Sequence, residues 1–164
     1  MSKTPAAKTA TPAIQILNST GTAYQLYEYE HDPRSEMGFG QESAAKLGID
    51  PARIFKTLLA QVDDTLVCAV VPVSGMLDLK ALAQAVHGKK AHMAAPADAE
   101  RATGYVVGGI SPLGQKRPHP TVIDASAQTH DQILVSGGRR GLSIELSPDD
   151  LKALTKATFA PIGR

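Results

Sequence analysis

Two β-type runs separated by a short polar turn constrain the fold of this chain more than any other feature. Residues 54–61 and 65–73 are rich in apolar and β-branched side chains, and Val62-Asp63-Asp64 lies between them. Two such runs at this spacing are typical of a β-hairpin. The longest apolar run, 66–73, has eight residues, whereas a membrane-spanning helix needs roughly 20. We therefore expect a buried strand there and no membrane span.

Helical and strand patterns are interspersed along the rest of the chain. For the first helix, Thr11 is a predicted N-cap, Pro12 the first helical residue and Gly21 the end. Further helices are predicted at 42–47, 79–86, 96–102 and 148–157, and further strands at 24–29, 103–107, 121–124, 132–135 and 142–146. This order, with its tight hairpins, favours an α+β sheet or a partly closed mixed barrel over a doubly wound parallel sheet.

Length and composition fit one soluble domain. The chain has 164 residues, of which 43% are hydrophobic and 20% charged, so it can bury a core without metals or disulfides. We expect residues 11–164 to form this domain and residues 1–10, which contain no apolar stretch, to be flexible. Cys68, the only cysteine, lies in the apolar run, where we expect a core residue rather than a nucleophile. A cytoplasmic location is expected, because residues 1–10 lack the apolar stretch of a secretory signal. The single cysteine, which can form no internal disulfide, fits a reducing compartment.

The net charge gives no sign of a nucleic-acid-binding protein. It is only +1, so any such role depends on local groups of basic residues. Three basic pairs occur in glycine-bearing segments: Lys89-Lys90, Lys116-Arg117 and Arg139-Arg140. Each pair either contacts phosphates or is solvated surface charge.

Lys56 is the first candidate site residue. In a strand it shares one face with Ile54, Leu58 and Ala60, an apolar set that should point into the protein or into a cleft. A lysine in such a place is costly unless it has a function or a partner. The alternative is that its stem packs against the apolar set while its ammonium reaches solvent.

Two glycine-bearing loops are the next candidates. Gly108-Gly109 follow a strand pattern, and their backbone N–H groups could hold a phosphate, a carboxyl oxygen or an oxyanion; a bulged turn is the alternative. Ser136 opens the second loop, which continues with two glycines and two arginines and could contact phosphates or be a solvated hairpin turn. Neither loop has the Walker A or dinucleotide-binding pattern, so no nucleotide cofactor is expected.

The histidines do not indicate a metal or triad hydrolase. None of the five has the H-E-x-x-H spacing, and the chain has no G-x-S-x-G elbow. We expect no metal and no cofactor. His31 is the histidine of most interest, because it lies in a strand-breaking motif beside the predicted strand at 24–29.

These segments resemble the YbaK/EbsC family of aminoacyl-tRNA deacylases, which are relatives of the editing domain of bacterial prolyl-tRNA synthetases. The resemblance runs from about Thr11 to the C-terminus. It is densest at 29–33, 55–59, 74–80, 103–105 with 108–116, and 135–142. It implies a single domain with a mixed, barrel-like sheet, surrounding helices and a cleft that contains a catalytic lysine.

The resemblance also implies roles for individual residues. Lys56 matches the family's lysine, which positions the terminal adenosine phosphate of the tRNA and the reacting ester, and Thr57 lines the same pocket. Four further pocket positions correspond by motif to Tyr29, Phe39, Gly108 and Ser136. We expect the backbone N–H groups of Gly108 and Gly109 to stabilise the oxyanion.

The implied reaction is removal of cysteine from mischarged Cys-tRNA(Pro). Because the sequence offers no evident metal site or general base, the substrate would supply the nucleophile: the cysteine thiol would attack its own ester carbonyl. Such an intramolecular nucleophile can reach effective molarities of roughly 10⁵ to 10⁸ M, less the strain of a four-membered ring. The implied partners are the mischarged tRNA and prolyl-tRNA synthetase.

Three alternatives stay open at the level of sequence. The chain could deacylate Ala-tRNA or Ser-tRNA, it could be a non-catalytic RNA- or nucleotide-binding module, or it could regulate a synthetase without activity of its own. Replacing Lys56 by alanine separates the first two classes: a binder loses one phosphate contact, whereas an enzyme loses ester cleavage by orders of magnitude.

Overall fold

The computed structural model describes residues 10–164, which form five α-helices and eight β-strands. The helices are α1 (Pro12–Thr20), α2 (Phe39–Leu47), α3 (Leu79–Ala85), α4 (Pro96–Thr103) and α5 (Pro148–Thr155). The strands are β1 (Gln25–Glu28), β2 (Phe55–Val62), β3 (Thr65–Pro72), β4 (Ala91–Met93), β5 (Thr121–Asp124), β6 (Ile133–Ser136), β7 (Leu142–Leu146) and β8 (Thr158–Ala160). Most of the segment expected to be flexible, residues 1–9, lies outside the described residues.

The strands form two sheets. The smaller sheet is antiparallel with the order β1-β7-β6, and the larger is mixed with the order β4-β2-β3-β5-β8. The predicted α+β class is therefore confirmed. The sheets do not close into a barrel: they meet through a parallel bridge between Ile54 and Leu134. The outer strands of the larger sheet, β4 and β8, have only three residues each and pair with no strand of the smaller sheet.

The predicted hairpin is confirmed as β2 and β3, which pair along their whole length. Asp63 begins the turn with a φ of 51°, a left-handed conformation that aspartate tolerates better than most residues. Its carboxylate accepts hydrogen bonds from the N–H groups of Lys89 and Lys90, both at 3.0 Å. These bonds join the hairpin turn to the segment that enters β4.

The β2 strand contributes alternate residues to two cores. Phe55 and Leu59 pack with α1, α5 and the smaller sheet, whereas Ala60 and Val62 pack with α3. Because both faces of the hairpin are covered, β3 is apolar at nearly every position. Cys68 lies in the first core, and burial raises the pKa of its thiol to about 12. This confirms Cys68 as a core residue.

The end signals of α1 are confirmed. The Thr11 hydroxyl accepts a hydrogen bond from the N–H of Ile14, and Gly21 ends the helix in a left-handed conformation. No helix within residues 10–164 is long and apolar enough to span a membrane.

The structure differs from the predicted secondary structure in three places. The α2 helix begins at Phe39, three residues before the predicted start at 42. Residues 103–107 form no strand, because Thr103 is the last residue of α4 and Gly104 ends that helix with a φ of 82°. The strand-like aromatic residue there, Tyr105, instead lies in the core and donates a hydrogen bond to the carbonyl of Leu113 at 2.6 Å. The β4 and β8 strands were not predicted, because three residues are too few for a detectable alternation.

Candidate active site

A cleft of about 360 Å³ lies where the two sheets meet. Its walls come from the segment after β1, the start of α2, the first part of β2, the loop after α4 and the β6–β7 hairpin. Six of the seven predicted site residues line it: Tyr29, Phe39, Lys56, Thr57, Gly108 and Ser136. The fold therefore brings together residues that are far apart in the chain.

The cleft lies at an open edge of the larger sheet. The β4 strand pairs with only the last three residues of β2, from Ala60 to Val62. Between this pairing and the bridge from Ile54 to Leu134, the edge of β2 pairs with no strand, and residues from both faces of β2 line the cleft. This is why Lys56 and Thr57 both line it, although neighbouring side chains in a strand point in opposite directions.

Lys56 is half-buried near the start of β2. Its ammonium donates a hydrogen bond to the carbonyl of Gly75, 3.0 Å away, and burial lowers the pKa of this ammonium. Leu58 and Ala60, on the same face, pack with the core beneath α3, as the alternation predicts. An ammonium has three N–H donors, so the bond to Gly75 leaves two for a ligand.

Thr57 places a hydroxyl without a partner in the cleft wall. Its Oγ1 is the one buried side-chain polar atom within residues 10–164 that makes no hydrogen bond. A buried group without a partner costs about 1 to 3 kcal/mol. Native proteins keep few such groups. In a cleft wall, a bound ligand can provide the missing hydrogen-bond partner.

Phe39 and Gly108 form a tightly packed wall. Gly108 has a φ of 91°, and a Cβ at this position would lie 2.8 Å from the Phe39 ring. The guanidinium of Arg140 lies 4.9 Å from the centroid of the same ring, and its Nε donates to the carbonyl of Val107 at 2.9 Å. Glycine is required at position 108 by both its conformation and the space available.

Gly109 is the one predicted site residue that does not line the cleft. Its N–H donates to the carbonyl of Val106 at 2.8 Å, within the turn that shapes this loop. A Cβ at Gly109 would lie 2.7 Å from the Cα of Arg139, so the residue packs against the neighbouring hairpin. The amide is therefore not free to stabilise an oxyanion. Gly108 stays the predicted donor.

Two serines that the sequence did not indicate also line the cleft. Ser43 on α2 and Ser143 on β7 are both buried, with their hydroxyl oxygens 3.5 Å apart. Tyr29 lies next to them, and its pKa is raised by burial and by the charge of Glu42, so it stays a hydrogen-bond donor. One hundred positions separate the two serines, so no local pattern could have identified them.

A buried carboxylate supports the cleft from behind Phe39. Glu42 accepts hydrogen bonds from Nδ1 of His31 at 2.7 Å and from the N–H of Asp32 at 2.8 Å, and the ammonium of Lys46 lies 3.4 Å away. Burial alone would raise the pKa of Glu42, but these contacts bring it below its ordinary value. The His31 ring lies 5.2 Å from the Phe39 ring. His31 therefore supports the wall of the cleft and does not line it.

The β6–β7 hairpin closes the other side of the cleft. Ser136 accepts a hydrogen bond from the N–H of Gly138 at 3.2 Å, and Arg139 forms an ion pair with Glu28 at 2.7 Å. The hydroxyl of Thr11 donates to the carbonyl of Gly137. The residue that caps α1 thus also holds this loop.

The charged residues that line the cleft are cationic. They are Lys56 and Arg139. Of the three basic pairs, Arg139-Arg140 therefore borders the cleft, whereas Lys89-Lys90 lies at the hairpin turn and Lys116 is not part of the lining.

Within residues 10–164, no three His, Cys, Asp or Glu side chains are grouped so that they could hold a metal ion.

Residues 38–154 match the family model of the aminoacyl-tRNA editing domain. The chain belongs to the aminoacyl-tRNA editing domain family. The family resemblance found in the sequence is thereby confirmed, and the matched range contains every predicted site residue except Tyr29.

This editing domain has a similar relative in Enterococcus faecalis (strain ATCC 700802 / V583). The relative is described as "Putative Cys-tRNA(Pro)/Cys-tRNA(Cys) deacylase EbsC" and is 42% identical over 154 residues. The aligned region covers 93% of this chain and 92% of the relative.

Two solved structures share the fold of this editing domain. One, described as "a putative trans-editing enzyme for prolyl tRNA synthetase", has a TM-score of 0.81 and 23% identity and covers 99% of both chains. The other, described as "hypothetical protein APE2540", has a TM-score of 0.83 and 23% identity and covers 93% of this chain and 99% of its own. Both structures cover more of the chain than residues 38–154, the range that the family model matches.

Proposed function

We propose that this chain removes cysteine from mischarged Cys-tRNA(Pro). The observation that carries the proposal is the small cationic cleft that both Lys56 and the unpaired hydroxyl of Thr57 line. A cation and a few hydrogen-bonding groups in an otherwise apolar cleft suit the phosphate and the aminoacyl ester at the end of a charged tRNA. The description of the Enterococcus relative names the same class of substrate.

In this proposal Lys56 holds the phosphate of the terminal adenosine and thereby places the ester. A phosphate beside the ammonium favours the charged form and offsets the lowering of the pKa by burial. Lys56 therefore acts as a cation and not as a general base. The hydroxyls of Tyr29, Thr57 and Ser136 orient the sugar and the amino acid.

The rim of the cleft would receive the terminal base. Four large hydrophobic side chains are exposed within residues 10–164: Met37, Met76, Met93 and Val106. Met93 lines the cleft. Met37 and Val106 are each next in sequence to a lining residue. Met76 is next in sequence to Gly75, whose carbonyl accepts the hydrogen bond from Lys56. Thioether and branched side chains pack well on the face of a base and tolerate different orientations.

The reaction uses the thiol of the substrate. The sulfur attacks the carbonyl carbon, the ester bond to the ribose breaks, and the thiol proton ends on the ribose hydroxyl. The products are free tRNA and a cysteine thiolactone. The N–H of Gly108 would stabilise the oxyanion, and the cleft supplies rate by holding the sulfur in attack geometry.

The partner we propose is prolyl-tRNA synthetase, in the cytoplasm. With a net charge of +1 and 4% aromatic residues, the chain has few groups for extensive contact with tRNA. Selectivity for tRNA(Pro) would then come from the synthetase that holds it. Addition of the synthetase should lower the KM for Cys-tRNA(Pro) and leave kcat unchanged.

The test is a comparison of four esters of tRNA(Pro): cysteinyl, seryl, alanyl and prolyl. We expect rapid loss of the cysteinyl ester alone, because the seryl ester has the same shape but lacks the thiol. Preferential cleavage of the alanyl ester would leave an editing enzyme but overturn both the cysteine assignment and the thiol mechanism. Binding of tRNA without cleavage of any ester would favour the RNA-binding module.

A further inference from the structure

The ammonium of Lys56 depends on a single backbone carbonyl. Within residues 10–164 its hydrogen-bond acceptor is the carbonyl of Gly75, in the loop between β3 and α3. Because one N–H points at this carbonyl, the directions of the other two N–H groups are fixed by where Gly75 lies. Anything that places Gly75 therefore aims Lys56.

Residues 162–164, which we call the strap, hold the Gly75 loop. The N–H of Met76 donates to the carbonyl of Arg164 and the N–H of Arg164 donates to the carbonyl of Met76, both at 2.8 Å. The N–H of Asp78 donates to the carbonyl of Ile162 at 2.7 Å. Three backbone hydrogen bonds therefore join the strap to the residues directly after Gly75.

The strap is itself held by a buried carboxylate. Asp124, at the end of β5, is 7% exposed, and its Oδ1 accepts hydrogen bonds from the N–H groups of Ile162 at 3.0 Å and Gly163 at 2.8 Å. Bonds to an ionised carboxylate are stronger than those between neutral groups. Hydrogen bonds thus connect Asp124 to the strap and the strap to Met76 and Asp78, and the backbone connects these residues to Gly75, the acceptor of Lys56.

The packing around Gly75 also indicates that the strap fixes the position of this residue. A Cβ at this position would lie 2.8 Å from the carbonyl oxygen of Arg164, a backbone atom that cannot move without the strap. The φ of Gly75 is not in the left-handed region, so the backbone conformation does not require glycine here. Contact with the strap accounts for glycine at this position.

We infer that Asp124 and the strap are positioning residues for Lys56: they fix the Gly75 carbonyl that aims the ammonium into the cleft. The inference rests on the proposed function only in that Lys56 handles the substrate. It predicts that residues remote from the cleft control the rate through one lysine. A misplacement of about 1 Å can cost on the order of 100-fold in rate.

The test is a double-mutant cycle measured in single turnovers with excess enzyme. Gly75→Ala and Asp124→Asn should each lower the rate of Cys-tRNA(Pro) cleavage by about 10- to 100-fold in the wild-type chain. On a Lys56→Ala background, the same changes should have no further effect, because the group they position is absent. Equal losses in both backgrounds would overturn the inference, since they would indicate a general structural role.

Gly88→Ala is the matched control. A Cβ at Gly88 would collide with the side chain of Val62, and Gly88, like Gly75, has no left-handed φ. The site lies at the far end of the β2–β3 hairpin from Lys56. We expect a comparable loss of stability with an unchanged rate, and a rate loss equal to that of Gly75→Ala would overturn the inference.

A second readout does not depend on activity. The NMR chemical shifts of the Lys56 Cε group, assigned by their absence in Lys56→Ala, report the surroundings of the ammonium at fixed pH. They should move in Gly75→Ala and Asp124→Asn but not in Gly88→Ala. Unchanged chemical shifts would overturn the inference even if the enzyme is active. If the chemical shifts move but the chain cleaves no ester, the proposed function fails and the positioning of Lys56 by the strap still holds.

Discussion

Gly108 carries the sharpest prediction for a single residue. Alanine there would hold a left-handed φ of 91°, which costs about 1 to 2 kcal/mol, and its Cβ would lie 2.8 Å from the Phe39 ring. We expect Gly108→Ala to lower the free energy of unfolding and to abolish most deacylation, because Phe39 must move in the cleft wall. Urea denaturation and steady-state cleavage of Cys-tRNA(Pro) measure the two effects.

Gly104→Ala is the control for this change. Gly104 has a similar φ of 82°, but its nearest neighbour is the Cβ of Lys116 at 3.4 Å, and it does not line the cleft. It should lose only the stability that the left-handed φ accounts for, about 1 to 2 kcal/mol, and keep its activity. If both variants lost activity equally, the contact between Gly108 and Phe39 would not be the cause.

The individual site residues differ in whether the sequence alone could identify them. Lys56 stood out because a charge interrupts an apolar strand face, and its neighbours do pack into a core. Gly109 looked identical to Gly108 in sequence, yet its N–H is used within the turn. Ser43 and Ser143 meet only in the folded molecule, so nothing in their local sequence marked them.

At the scale of elements, the start of α2 joins the fold to the cleft. Helix α2 begins with Phe39, which lines the cleft, and Glu42 in its first turn holds the preceding loop through His31 and Asp32. The sequence predicted the end of this helix from Gly48 but not its start, because Gly38 provides no side-chain cap. The strand predicted at 103–107 does not form. The apolar pattern of this segment reflects the burial of Tyr105 in the core and not strand pairing.

Glu42 makes stability depend on pH at this element. The folded chain holds the pKa of Glu42 below its ordinary value of 4.5, so the ionised carboxylate stabilises the fold above that pH. This contribution is lost as the pH falls through the folded-state pKa. Glu42→Gln should cost about 1 to 3 kcal/mol at neutral pH, and the difference from the wild type should shrink on acidification.

Urea denaturation of both chains between neutral pH and pH 3 measures this effect. A difference that stays constant across the range would show that the carboxylate charge does not contribute.

At the scale of the whole molecule, we expect only a few cationic side chains, all at the cleft, to contribute to tRNA binding. If Lys56 and Arg139 neutralise two phosphates of a single-stranded end, the logarithm of the affinity should fall with the logarithm of salt concentration with a slope of about −1.4. Arg139→Ala should reduce the magnitude of that slope by about 0.7. Lys90→Ala, at the far hairpin turn, should leave it unchanged. Equal effects of the two changes would contradict a tRNA end bound in the cleft.

The cleft itself could not be predicted from local patterns. The hairpin, the caps and the class of fold follow from alternation and turn residues, but the meeting of the two sheets at Ile54 and Leu134 joins segments 80 positions apart. The family resemblance pointed to six of the lining residues, because it carries information about distant contacts that periodicity lacks. The role of the strap, by contrast, became visible only with the hydrogen bonds in place.

In the proposed function, removal of cysteine from tRNA(Pro) depends on Lys56. The most direct measurement is single-turnover cleavage of Cys-tRNA(Pro) by the wild type, by Lys56→Ala and by Lys152→Ala, an exposed lysine on α5 that serves as the control. We expect a loss of about 10²- to 10³-fold for Lys56→Ala, as for removal of one preorganised electrostatic group, and none for Lys152→Ala. A folded Lys56→Ala chain that cleaves as fast as the wild type would contradict it.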